Sequence, residues 1–174
     1  GDPTTQVPFI QGGMGVGISL SRLAGAVSKE GGLGVISAAQ PGYPDADFMK
    51  NALDANLKAL AEHIQKAKEI SGGAPVGVNI MRASNHYADY VRCCVDHGAD
   101  VIISGAGLPV ELPQLLKDTT VKFAPIVSSL KAAKVLFQRW DKRYQKVADF
   151  VVIEGPKAGG HLGFTAEDAQ NLTR

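Results

Sequence analysis

Six short apolar runs, at 7–10, 33–36, 76–80, 100–103, 122–127 and 149–153, recur along the chain with helical patterns between most of them. Runs of this kind lack polar alternation, so both faces of each strand need cover. Strands separated by helices run parallel, because a parallel pair needs a long crossover and a tight turn cannot supply one. The intervening segments carry helical signals. Ser19 reads as an N-cap, followed by Leu20, Leu23 and Val27 at helical spacing, with Gly31 as the stop. Across 45–70, Leu53, Leu57, Leu60 and Ile64 form one stripe, and Asp54 with Lys58 and Glu62 with Lys66 pair on the wet side. Further helices are predicted at 85–97, at 111–117, and along the stripe Ala133, Phe137, Trp140 and Tyr144, with Thr165 opening a last one. No linker or composition break interrupts the pattern, so residues 1–174 read as a single domain.

Two architectures accommodate six such units. A complete eight-unit barrel needs about 250 residues, so units of about 29 residues leave this chain two short of closure. A doubly wound open sheet ends naturally at six strands, in the order 3-2-1-4-5-6.

Composition removes several functions. The chain is 45% hydrophobic and 20% charged, an ordinary globular balance. Its 18 basic and 17 acidic residues leave a net charge of +1, with no electrostatic footprint for nucleic acid or an anionic membrane. No apolar run approaches the length of a bilayer span, and the first six residues lack the basic and apolar regions of a secretory signal. The two cysteines are the neighbours Cys93 and Cys94, which cannot staple a chain of this size; a reducing cytoplasm fits best.

In either parallel architecture, ligands bind at the carboxyl ends of the strands. Small and polar residues gather there: Gln11-Gly12-Gly13-Met14-Gly15-Val16-Gly17, Ser37-Ala38-Ala39, Asn79-Ile80-Met81, Ser104-Gly105-Ala106-Gly107, Ser128-Ser129 and Glu154-Gly155-Pro156-Lys157-Ala158-Gly159-Gly160-His161. Glycines let backbone N–H groups approach a wide, flat ligand. The first loop has the wrong spacing for a dinucleotide fingerprint and no P-loop lysine. His161, flanked by glycines beyond a strand end, is placed as a proton acceptor. His63, His86 and His97 fall on predicted helices, and with Cys93 and Cys94 they match no zinc spacing. Lys157 reads as a loop charge.

Taken in order, Pro8-Phe9-Ile10-Gln11-Gly12-Gly13-Met14-Gly15, Gly77-Val78-Asn79-Ile80-Met81, Ser104-Gly105-Ala106-Gly107-Leu108-Pro109 and the segment from Glu154 to His161 resemble the nitronate monooxygenase family, also called 2-nitropropane dioxygenase-like proteins. The related flavin-type enoyl-acyl-carrier-protein reductases share the pattern. The resemblance implies an FMN-binding TIM-type barrel, present here as its six N-terminal βα units. It places the backbone of Gly13 and Met14 near the isoalloxazine ring, Asn79 and Glu154 at the flavin or its ribityl chain, and Gly159 against the flavin. Several relatives carry Gln where Glu154 stands. His161 matches the family's catalytic histidine.

The implied reaction is oxidation of alkyl nitronates with O2. The alternative is NAD(P)H-dependent reduction of an enoyl thioester, and a non-catalytic ligand-binding fragment is a third reading. The family's flavin phosphate loops follow the last two strands of the barrel, beyond Arg174. On this resemblance the chain is expected to be the N-terminal part of a longer enzyme, inactive alone, with an open edge that favours association with another chain. Gly13, Met14, Asn79, Ser104, Gly105, Glu154, Gly159 and His161 are expected to converge on one face.

Overall fold

The computed structural model describes residues 4–171. Elements alternate: α1 (Ser21–Lys29), β1 (Gly34–Ser37), α2 (Ala52–Ser71), β2 (Val76–Met81), α3 (Tyr87–Asp96), β3 (Val101–Gly105), α4 (Leu112–Leu115), β4 (Lys122–Val127), α5 (Leu130–Tyr144), β5 (Val152–Ile153) and α6 (Ala166–Asn171). The five strands pair in parallel, in the order β1-β2-β3-β4-β5. Each strand lies beside the next in sequence, which excludes a doubly wound order.

The two faces of this sheet are covered differently. On one face Ile36, Val76, Val78, Ile80, Ile102 and Phe123 pack against Ala24 of α1, Leu60 and Ile64 of α2, Val91 of α3 and Leu136 and Trp140 of α5. On the other face Leu33, Val35, Val101, Ile103 and Ala124 form a separate cluster with Ile126, Phe150 and Val152, and among the described residues no helix residue joins it. Helices on one side and strand side chains alone on the other make a half-barrel, with the second cluster as its interior. Helix and strand approach closely in the first unit: a β-carbon on Gly34 would sit 1.8 Å from the carbonyl oxygen of Ala24.

Several boundaries differ from the sequence expectation. The run at 7–10 is not a strand of the sheet. Ile10 forms a single parallel bridge to Leu33, with Leu33 N donating to Phe9 O at 2.8 Å and Gln11 N to Leu33 O at 3.0 Å. Pro8 has no N–H to extend the ladder, and glycines follow at once. Among the described residues the sheet therefore has five strands rather than six.

Helix α2 begins at Ala52, not near Asp45. The Asp45 carboxylate accepts from Asp47 N at 2.8 Å and holds a turn there, while Asn51 caps the helix by accepting from Asp54 N at 3.3 Å. Asp54 thus serves the cap, where its own side chain also takes the Asn51 amide. Ser19 does not cap α1, whose N-cap is Leu20, without a side-chain bond. Among the described residues no helix is long and apolar enough to cross a membrane.

The amino ends of the strands are tied by a repeated device. Asp100, just before β3, accepts from Val76 N at 2.8 Å and from Lys68 Nζ at 2.7 Å. Asp149, before β5, accepts from Phe123 N at 2.9 Å and pairs with Lys122 Nζ at 3.1 Å. Each aspartate anchors the strand that precedes it in the sheet. Asp149→Ala is expected to destabilise the fold by about 1–3 kcal/mol, because Phe123 N loses its acceptor. Asp149→Asn keeps an acceptor and loses less; urea denaturation of the two variants checks the ranking.

Candidate functional site at the carboxyl edge

The carboxyl ends of parallel strands share one edge of the sheet, and the first glycine loop is fastened there by buried polar groups. Gln11 and Ser19 are both buried. Gln11 Oε1 accepts from Val35 N at 3.2 Å, and its Nε2 donates to Ser19 Oγ at 2.9 Å and to Gly12 O. Ser19 Oγ accepts from Met14 N at 2.9 Å and donates to Gly12 O at 3.2 Å. Val16 N completes the attachment by donating to Ala39 O at 3.0 Å, just past β1.

This lock presses the loop onto β2. A β-carbon on Gly13 would lie 2.6 Å from Cβ of Asn79, so only glycine fits. Asn79 sits in register with Ser37 and Ile103, on the interior side of the sheet. Its Nδ2 donates to Ile103 O at 3.2 Å, which fixes the side chain, and its amide remains half-buried. Met14 is 45% exposed, and nothing lies within 4 Å of the position a β-carbon on Gly12 would take.

The second glycine loop leaves β5. Glu154 N donates to Val127 O at 2.9 Å, continuing the β4–β5 pairing by one residue. The half-buried Glu154 carboxylate accepts from Gly163 N at 2.8 Å, and Ser128 Oγ donates to Gly163 O at 2.8 Å. Gly159 and His161 lie exposed within the loop so closed, and Gly160 takes a φ of +82°.

The structure therefore forms two groups on the same edge: Gly13, Met14 and Asn79 at the ends of β1 and β2, and Glu154, Gly159 and His161 beyond β5. Three strand spacings separate β2 from β5, about 14 Å along the sheet. Gly105 lies between them, close-packed on Ile126, to which a β-carbon would approach within 2.8 Å. Ser104 does not join this set. Its hydroxyl faces the helical layer, where it accepts from Tyr87 Oη at 2.9 Å and donates to Ile80 O at 3.1 Å. Alternation along β3 dictates this, since Ile103 and Gly105 take the interior.

The other three histidines have partners away from this edge. His63 Nδ1 lies 3.1 Å from Ser21 Oγ, with its pKa lowered by burial. His97 Nδ1 lies 2.9 Å from Cys93 O, and His86 Nδ1 lies 3.4 Å from Asp89. Cys93 and Cys94 are both free and buried, and burial raises both thiol pKa values away from thiolate reactivity. The sequence reading placed Gln11 in the glycine run and Ser19 at a helix cap, and missed the buried lock they form at this edge. The signal was a glutamine opening a glycine run just after an apolar segment.

The nitronate monooxygenase family model matches residues 3–174, including both glycine loops. The chain belongs to the nitronate monooxygenase family. Among solved structures, a mutant of FabK from Thermotoga maritima is 30% identical, with a TM-score of 0.71, over 92% of this chain and 46% of that one. FabK itself from Thermotoga maritima is 32% identical, with a TM-score of 0.68, over 92% of this chain and 44% of that one. A nitroalkane oxidase from Streptomyces ansochromogenes shares the fold at 22% identity and a TM-score of 0.69, covering 94% of this chain and 51% of that one. This member of the family thus spans about half the length of the solved structures it matches. No curated protein matches it significantly.

Proposed function

We propose that this protein is an FMN-dependent oxidoreductase that oxidises alkyl nitronates with O2, with His161 as the base for neutral nitroalkanes. The observation that carries this reading is the family match, which covers residues 3–174 and so includes the loop bearing His161. The carboxyl edge suits the ring of a flavin. Apart from its own chain neighbours, no heavy atom of the described residues lies within 4 Å of where a β-carbon would stand on Gly12 or on Gly159, so a flat ring can approach either loop. Gly13, Met14, Asn79, Glu154 and Gly159 would hold it. A bound flavin supplies the electron chemistry that no side chain offers.

The protein's own residues supply the rest. A neutral His161 imidazole takes the proton alpha to a nitro group and then faces the resulting anion as an imidazolium, which favours its retention. Gly159 and Gly160 precede it and Leu162 follows, so on its N-terminal side no side chain crowds the approach of a small substrate. The buried Gln11–Ser19 lock keeps the first loop rigid without occupying the open side of Gly12.

A second reading, NAD(P)H-dependent reduction of an enoyl thioester, draws on the higher identity to FabK than to the nitroalkane oxidase. Oxygen consumption and NADH oxidation separate the two. Nitronate oxidation predicts rapid oxygen uptake with propyl-2-nitronate in the absence of NADH. NADH oxidation dependent on a crotonyl thioester, with no such oxygen uptake, would replace the first reading by the second.

A further inference from the structure

The loop bearing His161 is attached to the sheet at both ends. It leaves at Glu154 and returns at Gly163, whose backbone N–H and C=O reach two strand ends. Its N–H donates to Glu154 Oε2 after β5, and its carbonyl accepts from Ser128 Oγ after β4, both at 2.8 Å. A β-carbon on Gly163 would lie 2.6 Å from Ser128 Oγ and 2.7 Å from Glu154 Oε2. These are the bonding atoms themselves, so moving them aside breaks the attachment. Between the two ends the loop contains one turn, closed by Ala158 N donating to Gly155 O at 3.1 Å. Gly155, Gly159 and Gly160 have nothing within 4 Å of a β-carbon position. Among the described residues, the hydrogen bonds that tie this loop to the sheet lie at its two ends.

We propose that Ser128, Glu154 and Gly163 form a clasp that fixes the position of His161, and that Ser128 and Gly163 are positioning residues for the reaction. This rests on the reading of His161 as the base. A glycine-rich loop of this length samples many conformations when one end is loose. Closing it through Gly163 removes that freedom before substrate arrives. Misplacing a catalytic group by about 1 Å can reduce turnover about 100-fold.

Lys157 makes the clasp measurable without activity, because it is exposed within the loop and trypsin cuts after it. Limited digestion with mass mapping reads the opening of the loop directly. Gly163→Ala and Ser128→Ala are expected to raise cleavage after Lys157 by about fivefold or more, the effect of one lost hydrogen bond on local opening. Cleavage after Lys117, on the far side of β4, is expected to remain unchanged. Glu154→Gln retains an acceptor for Gly163 N and is expected to keep the slow rate, whereas Glu154→Ala loses it.

In the intact enzyme, Gly163→Ala is expected to lower kcat about 10- to 100-fold with KM and flavin content held. Unchanged cleavage after Lys157 in both Gly163→Ala and Ser128→Ala would overturn the clasp. A loosened loop with undiminished kcat would overturn its positioning role. Should His161→Ala leave turnover intact, the functional reading fails by itself, and the clasp is then decided by the Lys157 cleavage alone.

Discussion

Replacing His161 by Ala or Asn is expected to lower kcat/KM for neutral nitroalkanes by about 10²–10⁴-fold, the usual contribution of a positioned base. Flavin is expected to remain bound, because the Gly12–Met14 segment and Asn79 are held by bonds that do not involve this side chain. The imidazole is exposed in the loop after β5, so its removal disturbs no core packing. Nitronates arrive already deprotonated and should lose much less. Measuring both substrates on one variant separates proton abstraction from orientation. An equal loss on both would assign His161 to anion binding instead of proton transfer. Unchanged kinetics on both would remove it from the reaction.

Trp140→Ala is expected to destabilise the fold by about 3–5 kcal/mol, the range for deleting a large buried aromatic ring. Trp140 is completely buried and meets Phe123 of β4 edge-on at 5.3 Å and Phe137 at 5.9 Å. Its Nε1 donates to Val110 O at 3.1 Å, tying α5 to the segment before α4. Truncation leaves both a cavity and a half-buried carbonyl without its donor. Trp140→Phe fills most of the space and loses mainly the hydrogen bond, so its cost should stay near 1–3 kcal/mol by about the same reckoning as other unsatisfied groups. Urea titration gives both numbers; a loss below about 1 kcal/mol for the alanine variant would show that the site collapses around the gap.

The parallel pairing was legible in the sequence because most apolar runs are followed by a segment with helical signals of its own. Leu60 and Ile64 do face the sheet, and so does Trp140, joined by Leu136, which the expected stripe did not include. The first run misled because its apolar content outweighed Pro8, which leaves only the bridge between Ile10 and Leu33. Ser19 misled for a related reason. A serine before an apolar helix usually caps it, yet here its hydroxyl is taken by Met14 N, Gln11 Nε2 and Gly12 O.

The placement of Gly13 against Asn79 follows from loops at adjacent strand ends, which topology alone predicts. Ser104 was misassigned because residues at one strand end alternate between faces, and the run Ser104-Gly105 contains one of each. The clasp at Gly163 was not legible, since a serine after β4 and a glycine 35 positions later meet only through the closed loop.

Hydrogen exchange on the intact protein, with and without saturating FMN, tests most directly whether the carboxyl edge holds the flavin. Protection is expected at the amides of 12–15 and of 155–163, on both glycine loops. The amides of 98–100 and 118–121, at the amino edge of the sheet, should exchange at the same rate in both states. Protection confined to the amino edge, or absent from both glycine loops while FMN is bound, would contradict the assignment.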